Sequence, residues 1–119
     1  MKPKRIYVCG PMRNIPFFNF PAFYAAADKL RQEGWIVFNP AERDNERHGH
    51  DISKGNLTGD EEVAKKEHGF NLRIALCDDL KWICKNADAI AVLPGWENSK
   101  GANAEIATGN ALGLEIIFL

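Results

Sequence analysis

The sequence predicts an α/β sandwich of three layers around a four- to five-stranded, mostly parallel sheet. Residues 6 to 38 read as strand, helix, strand, a βαβ unit whose crossover is right-handed and whose strands are parallel. Asp88 to Leu93 is a short apolar run that empties through Pro94-Gly95 into a small polar loop and an Ala-rich helix. Between these two units lies a strongly amphipathic segment, so strands and helices alternate along the chain, as in sheets covered on both faces.

Taken in order, Ile6-Tyr7-Val8-Cys9 before Gly10-Pro11 is a buried strand, favoured by β-branched and aromatic residues and stopped by the Gly-Pro turn. Asn19 and Pro21 open a helix with Phe23, Ala26, Ala27 and Leu30 at helical spacing, Asn19 or Phe20 near its cap and Gly34 as its stop. Trp35 to Phe38 forms the second strand, ended by Asn39-Pro40. Residues 41 to 68 are dense in charge, His and Gly, with Ile52, Leu57 and Val63 as apolar anchors, and read as a polar loop or lid in which Asp60 to Glu67 suits a short helix. From Asn71 to about Asn86, Leu72, Ala75, Leu76, Leu80 and Ile83 form one helical stripe. Asp88 to Leu93 is the third strand, Gly101 to Leu112 the next helix and Glu115 to Leu119 the last strand.

At 119 residues, 45% hydrophobic and 26% charged, the chain is sized for a single domain over 1–119 whose core needs no staples. A formal net charge of −1 and a pI near 6.3 supply too weak a field to hold a nucleic-acid polymer, while a small anion at a local site stays open. Cys9, Cys77 and Cys84 are odd in number and sit in apolar surroundings, so they read as reduced thiols serving as small core hydrophobes. Met-Lys-Pro-Lys-Arg leads straight into a strand, without an apolar stretch for a signal peptide or membrane span. A soluble, cytoplasmic protein with no membrane partner is expected.

Two carboxylates stand where a core would not put them. Asp79 falls three residues after Leu76 and four before Ile83, within the apolar stripe; Asp78 is the alternative if the register shifts. A carboxylate on a buried face is costly unless paired, so an inward Asp either braces the core or serves a site. Glu105 lies near the start of its helix among Ala102, Ala104 and Ala107, small residues that leave room for a ligand; it reads equally as a first-turn acid favoured by the dipole. Two carboxylates facing one cleft suit glycosidic-bond cleavage, one attacking or stabilising the anomeric carbon and the other protonating the leaving group.

Tyr7-Val8-Cys9-Gly10-Pro11-Met12-Arg13, the inward Asp79, and Ser99-Lys100-Gly101-Ala102-Asn103-Ala104-Glu105 form an ordered set that resembles the nucleoside 2′-deoxyribosyltransferase superfamily. Within it the chain looks most like the 2′-deoxynucleoside 5′-monophosphate N-glycosidases, and it is similar to small phage and prophage domains assigned loosely to the superfamily. The likeness covers most of the chain apart from residues 41 to 68. It implies a flavodoxin-like or Rossmann-like fold and hydrolysis of the N-glycosidic bond of a (deoxy)nucleoside 5′-monophosphate, releasing free base and sugar 5-phosphate. It further implies Glu105 as the nucleophile at C1′, Tyr7 as the hydrogen-bond donor that holds that carboxylate, and Asp79 as the acid for the departing base. Gly10, Met12, Arg13, Gly101 and Asn103 become substrate contacts, with Asn103 standing where many relatives have Gly. Ser99, six residues before Glu105, occupies a position that is typically an Asp on the sugar hydroxyl in the transferases and a phosphate-binding Ser in the hydrolases. Ser99, Gly101 and Arg13 together offer hydroxyl, backbone N–H and guanidinium to a 5′-phosphate; apart from the resemblance, Ser99 reads as a helix N-cap and Arg13 as a solvated loop charge.

This chemistry calls for no metal and no organic cofactor, and the resemblance implies a homo-oligomer, a dimer or larger. Three alternatives stand beside it: a transferase exchanging bases; a phosphoribohydrolase, whose Pro-Gly-Gly loop is echoed by Pro94-Gly95 although Trp96 replaces the second glycine; and a non-catalytic module binding a nucleotide or ADP-ribose-type ligand. Phe17, Phe18, Phe20 and Trp96 follow the first and third strands, where they either sandwich a base or cover the sheet or a subunit interface. His48, His50, Asp51 and His68 are better read as solvated loop residues than as a zinc site, since no Cys lies near and the spacing to His68 is long.

Overall fold

Alternation along the two central strands dictates the layers. In the computed structural model, which describes residues 4–48, 59 and 71–119, strand β1 (Arg5–Cys9) turns Ile6 and Val8 to one face and Tyr7 and Cys9 to the other. Strand β3 (Ala89–Val92) repeats the pattern, with Ala89 and Ala91 on the first face and Ile90 and Val92 on the second. Helix α1 (Phe20–Gln32) covers the first face with Phe20, Phe23, Ala26 and Leu30. Helices α3 (Leu72–Asn86) and α4 (Lys100–Ala111) cover the second with Ile83, Ala102 and Ile106. Both faces of the central strands are therefore dry, which is why their sequences are almost wholly apolar.

Strand β2 (Ile36–Phe38) and strand β4 (Glu115–Phe118) complete a four-stranded parallel sheet in the order β2-β1-β3-β4. This is a flavodoxin-like or Rossmann-like architecture. The chain runs outward from β1 to β2, then returns to the other side of β1 for β3 and β4. At that reversal the loops after β1 and β3 diverge to opposite faces, and a crevice opens above the carboxyl ends of the two strands. Among the described residues no helix is long and apolar enough to cross a membrane.

Two expectations are corrected. Residues 41 to 68 do not all form a loop: Pro40–His48 is a helix, α2. Asn39 caps it by accepting from the Ala41 N–H at 2.9 Å, and Pro40 occupies the first helical position, where its missing N–H costs nothing. Arg31 of α1 grips Glu42 through both guanidinium nitrogens at 2.6 and 2.9 Å, and Asn45 donates to the Tyr24 hydroxyl at 2.8 Å. The helix went unread because Ala41 is nearly its only apolar residue, so no hydrophobic period marks it. The expected short helix at 60–67 lies outside the described residues. The cysteines also divide: Cys9 is buried, whereas Cys77 and Cys84 are exposed on the outer face of α3, all three as free thiols.

The crevice needs the ends of β1 and β3 close together. A Cβ built on Gly10 would stand 2.7 Å from the Leu93 Cβ, which is backbone-anchored and has nowhere to move. Gly10→Ala is therefore expected to cost about 1–3 kcal/mol of stability, measured as a lowered urea midpoint with an unchanged slope.

Candidate active site

The crevice is a cleft of about 650 Å³ above β1 and β3. Its floor is Tyr7 and Glu105. Glu105 sits in the second turn of α4, on the face that buries Ala102, Ile106 and Gly109, so a charged residue holds a core position of its helix. It is therefore not a first-turn acid stabilised by the dipole, an effect that fades beyond the first turn. The Tyr7 hydroxyl donates to Glu105 Oε2 at 2.5 Å. The Tyr7 ring is wholly buried, stacked on Phe38 at 5.4 Å between centroids and tilted against Trp82 at 6.4 Å, so the donor is aimed by packing.

Burial pushes the Glu105 carboxyl up to about 7, and the charge of Asp44 pushes in the same direction. The Tyr7 hydrogen bond acts against this, as does the neighbouring Cys9 thiol, without cancelling it; the thiol's own hydrogen bond goes to the Ala102 carbonyl at 3.5 Å. The Tyr7 phenol is pushed well above its ordinary value by burial and then by the charges of Glu105 and Asp79. The Cys9 thiol is likewise raised by burial and by Glu105, so it is a proton donor and not a thiolate.

Asp79, rather than Asp78, is the inward residue of α3: it is 7% exposed, as is Glu105, shares the buried face of Ala75 and Ile83, and lines the cleft. Asp78 instead accepts from Arg43 Nε of α2 at 3.0 Å. At the opposite end, Gly95 turns the loop after β3 at φ 87°, a conformation glycine adopts freely. Ser99 then caps α4, its Oγ accepting from the Ala102 N–H at 3.2 Å. That bond leaves the Ser99 hydroxyl hydrogen to be donated elsewhere. Ser99, Lys100 and Gly101 line this end, which combines a helix N-terminus with a cationic side chain, and Arg13 of the loop after β1 also lines the cleft. Phe18, Phe20, Phe23, Leu72 and Leu76 supply the apolar walls.

The cleft thus brings together Tyr7, Gly10, Met12, Arg13, Asp79, Ser99, Gly101 and Glu105. Two residues read as substrate contacts are placed elsewhere. Trp96 packs against the core beneath α4 with its ring 5.8 Å from Phe118 of β4. Asn103 spends its amide on the loop, donating to the carbonyls of Ser99, Glu97 and Trp96 at 2.8, 3.1 and 3.4 Å. Its side chain staples the turn that a glycine would leave to the backbone alone. Of the aromatics after β1, Phe18 and Phe20 line the cleft from the core, while Phe17 is exposed outside it. Among the described residues no group of three or more His, Cys, Asp or Glu is arranged to hold a metal ion, and the side chains of the His48, His50, Asp51 and His68 set fall outside those described.

One buried carboxylate of the cleft escaped the sequence reading. Asp44 of α2 lines the same cleft and is 3% exposed. The signal available was Asn39-Pro40, a cap followed by an N1 proline, which starts a helix and sets Ala41 and Asp44 on one face.

A carboxyl whose folded pKa lies above its unfolded value of 4.5 keeps its proton longer in the folded state. The stability contributed by Glu105 therefore falls as pH rises from 4.5 to about 7 and is level outside that window. Glu105→Gln, neutral throughout, removes this slope. Relative to wild type it is expected to gain on the order of 3 kcal/mol between the acid and alkaline sides of the window, read from urea midpoints at each pH.

Comparison with curated proteins and with solved structures finds no match. A family model described as Domain of unknown function (DUF4406) matches residues 4–118, so the chain belongs to the DUF4406 family.

Proposed function

We propose that this protein hydrolyses the N-glycosidic bond of a (deoxy)nucleoside 5′-monophosphate, releasing free base and sugar 5-phosphate. The observation that carries the reading is the pairing, in one cleft, of a buried carboxylate held by Tyr7 with the Ser99-capped start of α4, where helix N–H groups suit an anion. Ser99 and Glu105 lie six residues apart on one helix, about 9 Å along its axis, a span that a sugar phosphate fills when its phosphate meets Ser99 and its anomeric carbon meets Glu105.

Tyr7 anchors Glu105 Oε2 and leaves Oε1 to attack C1′. The C1′–N bond breaks with its electron pair passing to the base, and Asp79 delivers a proton to that base. The sugar is then held as an ester of Glu105. Water adds at C1′ while Asp79 takes up its proton, the ester bond breaks, and sugar 5-phosphate leaves with Glu105 restored. The apolar walls exclude bulk water and strengthen each of these charge interactions. A homo-oligomer, a dimer or larger, belongs to the same reading and is read by light scattering on the purified chain.

The test is chromatographic detection of free base from a panel of deoxynucleoside and ribonucleoside 5′-monophosphates. Release is expected to drop at least about a thousandfold in Glu105→Ala and to rise in the wild type as Glu105 ionises through a pH of about 7. Ser99→Ala is expected to lower the preference for a monophosphate over the matching nucleoside about tenfold; loss of the helix cap weighs on both substrates alike and does not move that ratio. Formation of an exchanged nucleoside when a second free base is added would assign transfer instead, and absence of release from every member would overturn the reaction.

A further inference from the structure

Gly59 is not among the described residues that line the cleft, yet its backbone is docked on a loop that does line it. It is buried, at φ 73°, in the segment between α2 and α3. The loop after β1 contributes Met12, Arg13, Asn14 and Ile15 to the cleft wall. The Asn14 N–H donates to the Gly59 carbonyl at 2.9 Å. That N–H belongs to the planar peptide joining Arg13 to Asn14, so the bond sets the plane in which the chain leaves Arg13. Asn14 is itself left-handed, at φ 63°, a conformation that persists where the surroundings hold it.

The approach leaves no room for a side chain. A Cβ built on Gly59 would stand 2.0 Å from the Ile15 carbonyl oxygen, 2.5 Å from its nitrogen and 2.8 Å from its carbonyl carbon. All three are backbone atoms, and relief to the 3.0 Å that real Cβ contacts respect displaces the loop by about 1 Å. The loop's internal bonds fix its shape: the Ile15 N–H donates to the Met12 carbonyl at 3.3 Å, the Phe18 N–H to the Ile15 carbonyl at 2.9 Å and the Asn19 amide to the Pro11 carbonyl at 3.1 Å. The contact with Gly59 ties that shape to a second part of the chain. Tyr7 and Glu105 are held separately, by β1, α4 and the rings of Phe38 and Trp82. A displaced loop therefore weakens binding of substrate and transition state alike and leaves the reacting groups where they are.

We propose that Gly59 is a positioning residue for the ligand: its backbone, docked on Asn14 and Ile15, sets the cleft wall of residues 12–15 at the distance a bound nucleotide requires. This rests on the nucleotide reading of the cleft.

The test compares Gly59→Ala with Gly113→Ala. Gly113 has nearly the same backbone angle, φ 72°, but an added Cβ there meets nothing within 4 Å, and it precedes β4 at the end of the parallel sheet away from the cleft. The two variants carry comparable left-handed strain, and Gly59→Ala alone collides with the loop. With the best 5′-monophosphate for base release, Gly59→Ala is expected to raise KM at least about tenfold with kcat within about threefold, a loss in the range that a displacement of about 1 Å produces. Gly113→Ala is expected to stay within about twofold of wild type in both. A second measurement needs no glycine variant: amide hydrogen exchange at Asn14, followed in Glu105→Ala with and without the same monophosphate. A ligand that binds while the loop is seated on Gly59 slows that exchange roughly a hundredfold at a hundred times its Kd, while the Gly113 N–H, bonded to the Asn110 carbonyl at 3.1 Å, keeps its rate. This measurement decides should Gly59→Ala not fold. A KM within about twofold of wild type in Gly59→Ala, a fall in kcat larger than the rise in KM, an equal change in Gly113→Ala, or exchange at Asn14 indifferent to ligand overturns the role of Gly59 and leaves the reaction standing. Absence of both turnover and binding across the panel overturns the nucleotide reading and this inference with it.

Discussion

The contact between the Tyr7 hydroxyl and Glu105 Oε2 joins β1 to α4 across 98 residues of sequence, and the cleft is organised around it. A carboxyl on the buried face of a helix would be costly without a partner. Here the partner comes from the centre of the sheet, on a ring held by Phe38 and Trp82 from two further elements. The balance of effects at this point is legible in the direction of the Glu105 pKa. Burial raises it, the Tyr7 hydrogen bond and the nearby Cys9 thiol lower it, and the net displacement is upward, so desolvation wins. The site therefore holds a carboxyl poised near neutrality, a state that a solvated glutamate does not reach.

The topology supplies the rest. Because the strand order reverses at β1 and β3, connections from three strands converge above the same crevice: a Gly-Pro turn after β1, a capped helix after β2 and a Gly turn into a second capped helix after β3. The segment after β1 is the most strained. Phe17, Phe18 and Asn19 all adopt left-handed backbone conformations with φ of 55°, 54° and 59°. For non-glycine residues each costs about 1–3 kcal/mol. Burial of Phe18 against Phe20 and the Asn19 amide bond to the Pro11 carbonyl at 3.1 Å offset that cost. The result is a tight left-handed turn that lays two aromatic rings into the cleft wall and returns the chain to α1.

Charge is graded along the cleft. The end at the start of α4 carries Lys100 and the first N–H groups of that helix, while Glu105, Asp79 and Asp44 are buried residues of the cleft lining. The net charge of −1 does not report this grouping, since it sums over all 15 basic and 16 acidic residues of the chain.

The order of the elements, the inward faces of β1 and β3, and the inward Asp79 of α3 were legible in the amino-acid sequence, because each is reported by a local period of two or of 3.6 residues. The pairing of Tyr7 with Glu105 was accessible only through a resemblance, since nothing in the spacing of either residue points to the other. Helix α2 and Asp44 were missed because a helix held by a cap and two ion pairs leaves almost no apolar period. Trp96 and Asn103 were misplaced for a related reason: position in a loop says that a side chain is near a site, and only packing decides whether it turns to the ligand, to Phe118 or to the loop's own carbonyls. Local spacing identifies the four strands, the helices α1, α3 and α4, and the dry faces of the central strands. The tertiary structure alone decided which polar groups those dry faces enclose together, because local spacing records burial but carries no information about the partner across the fold.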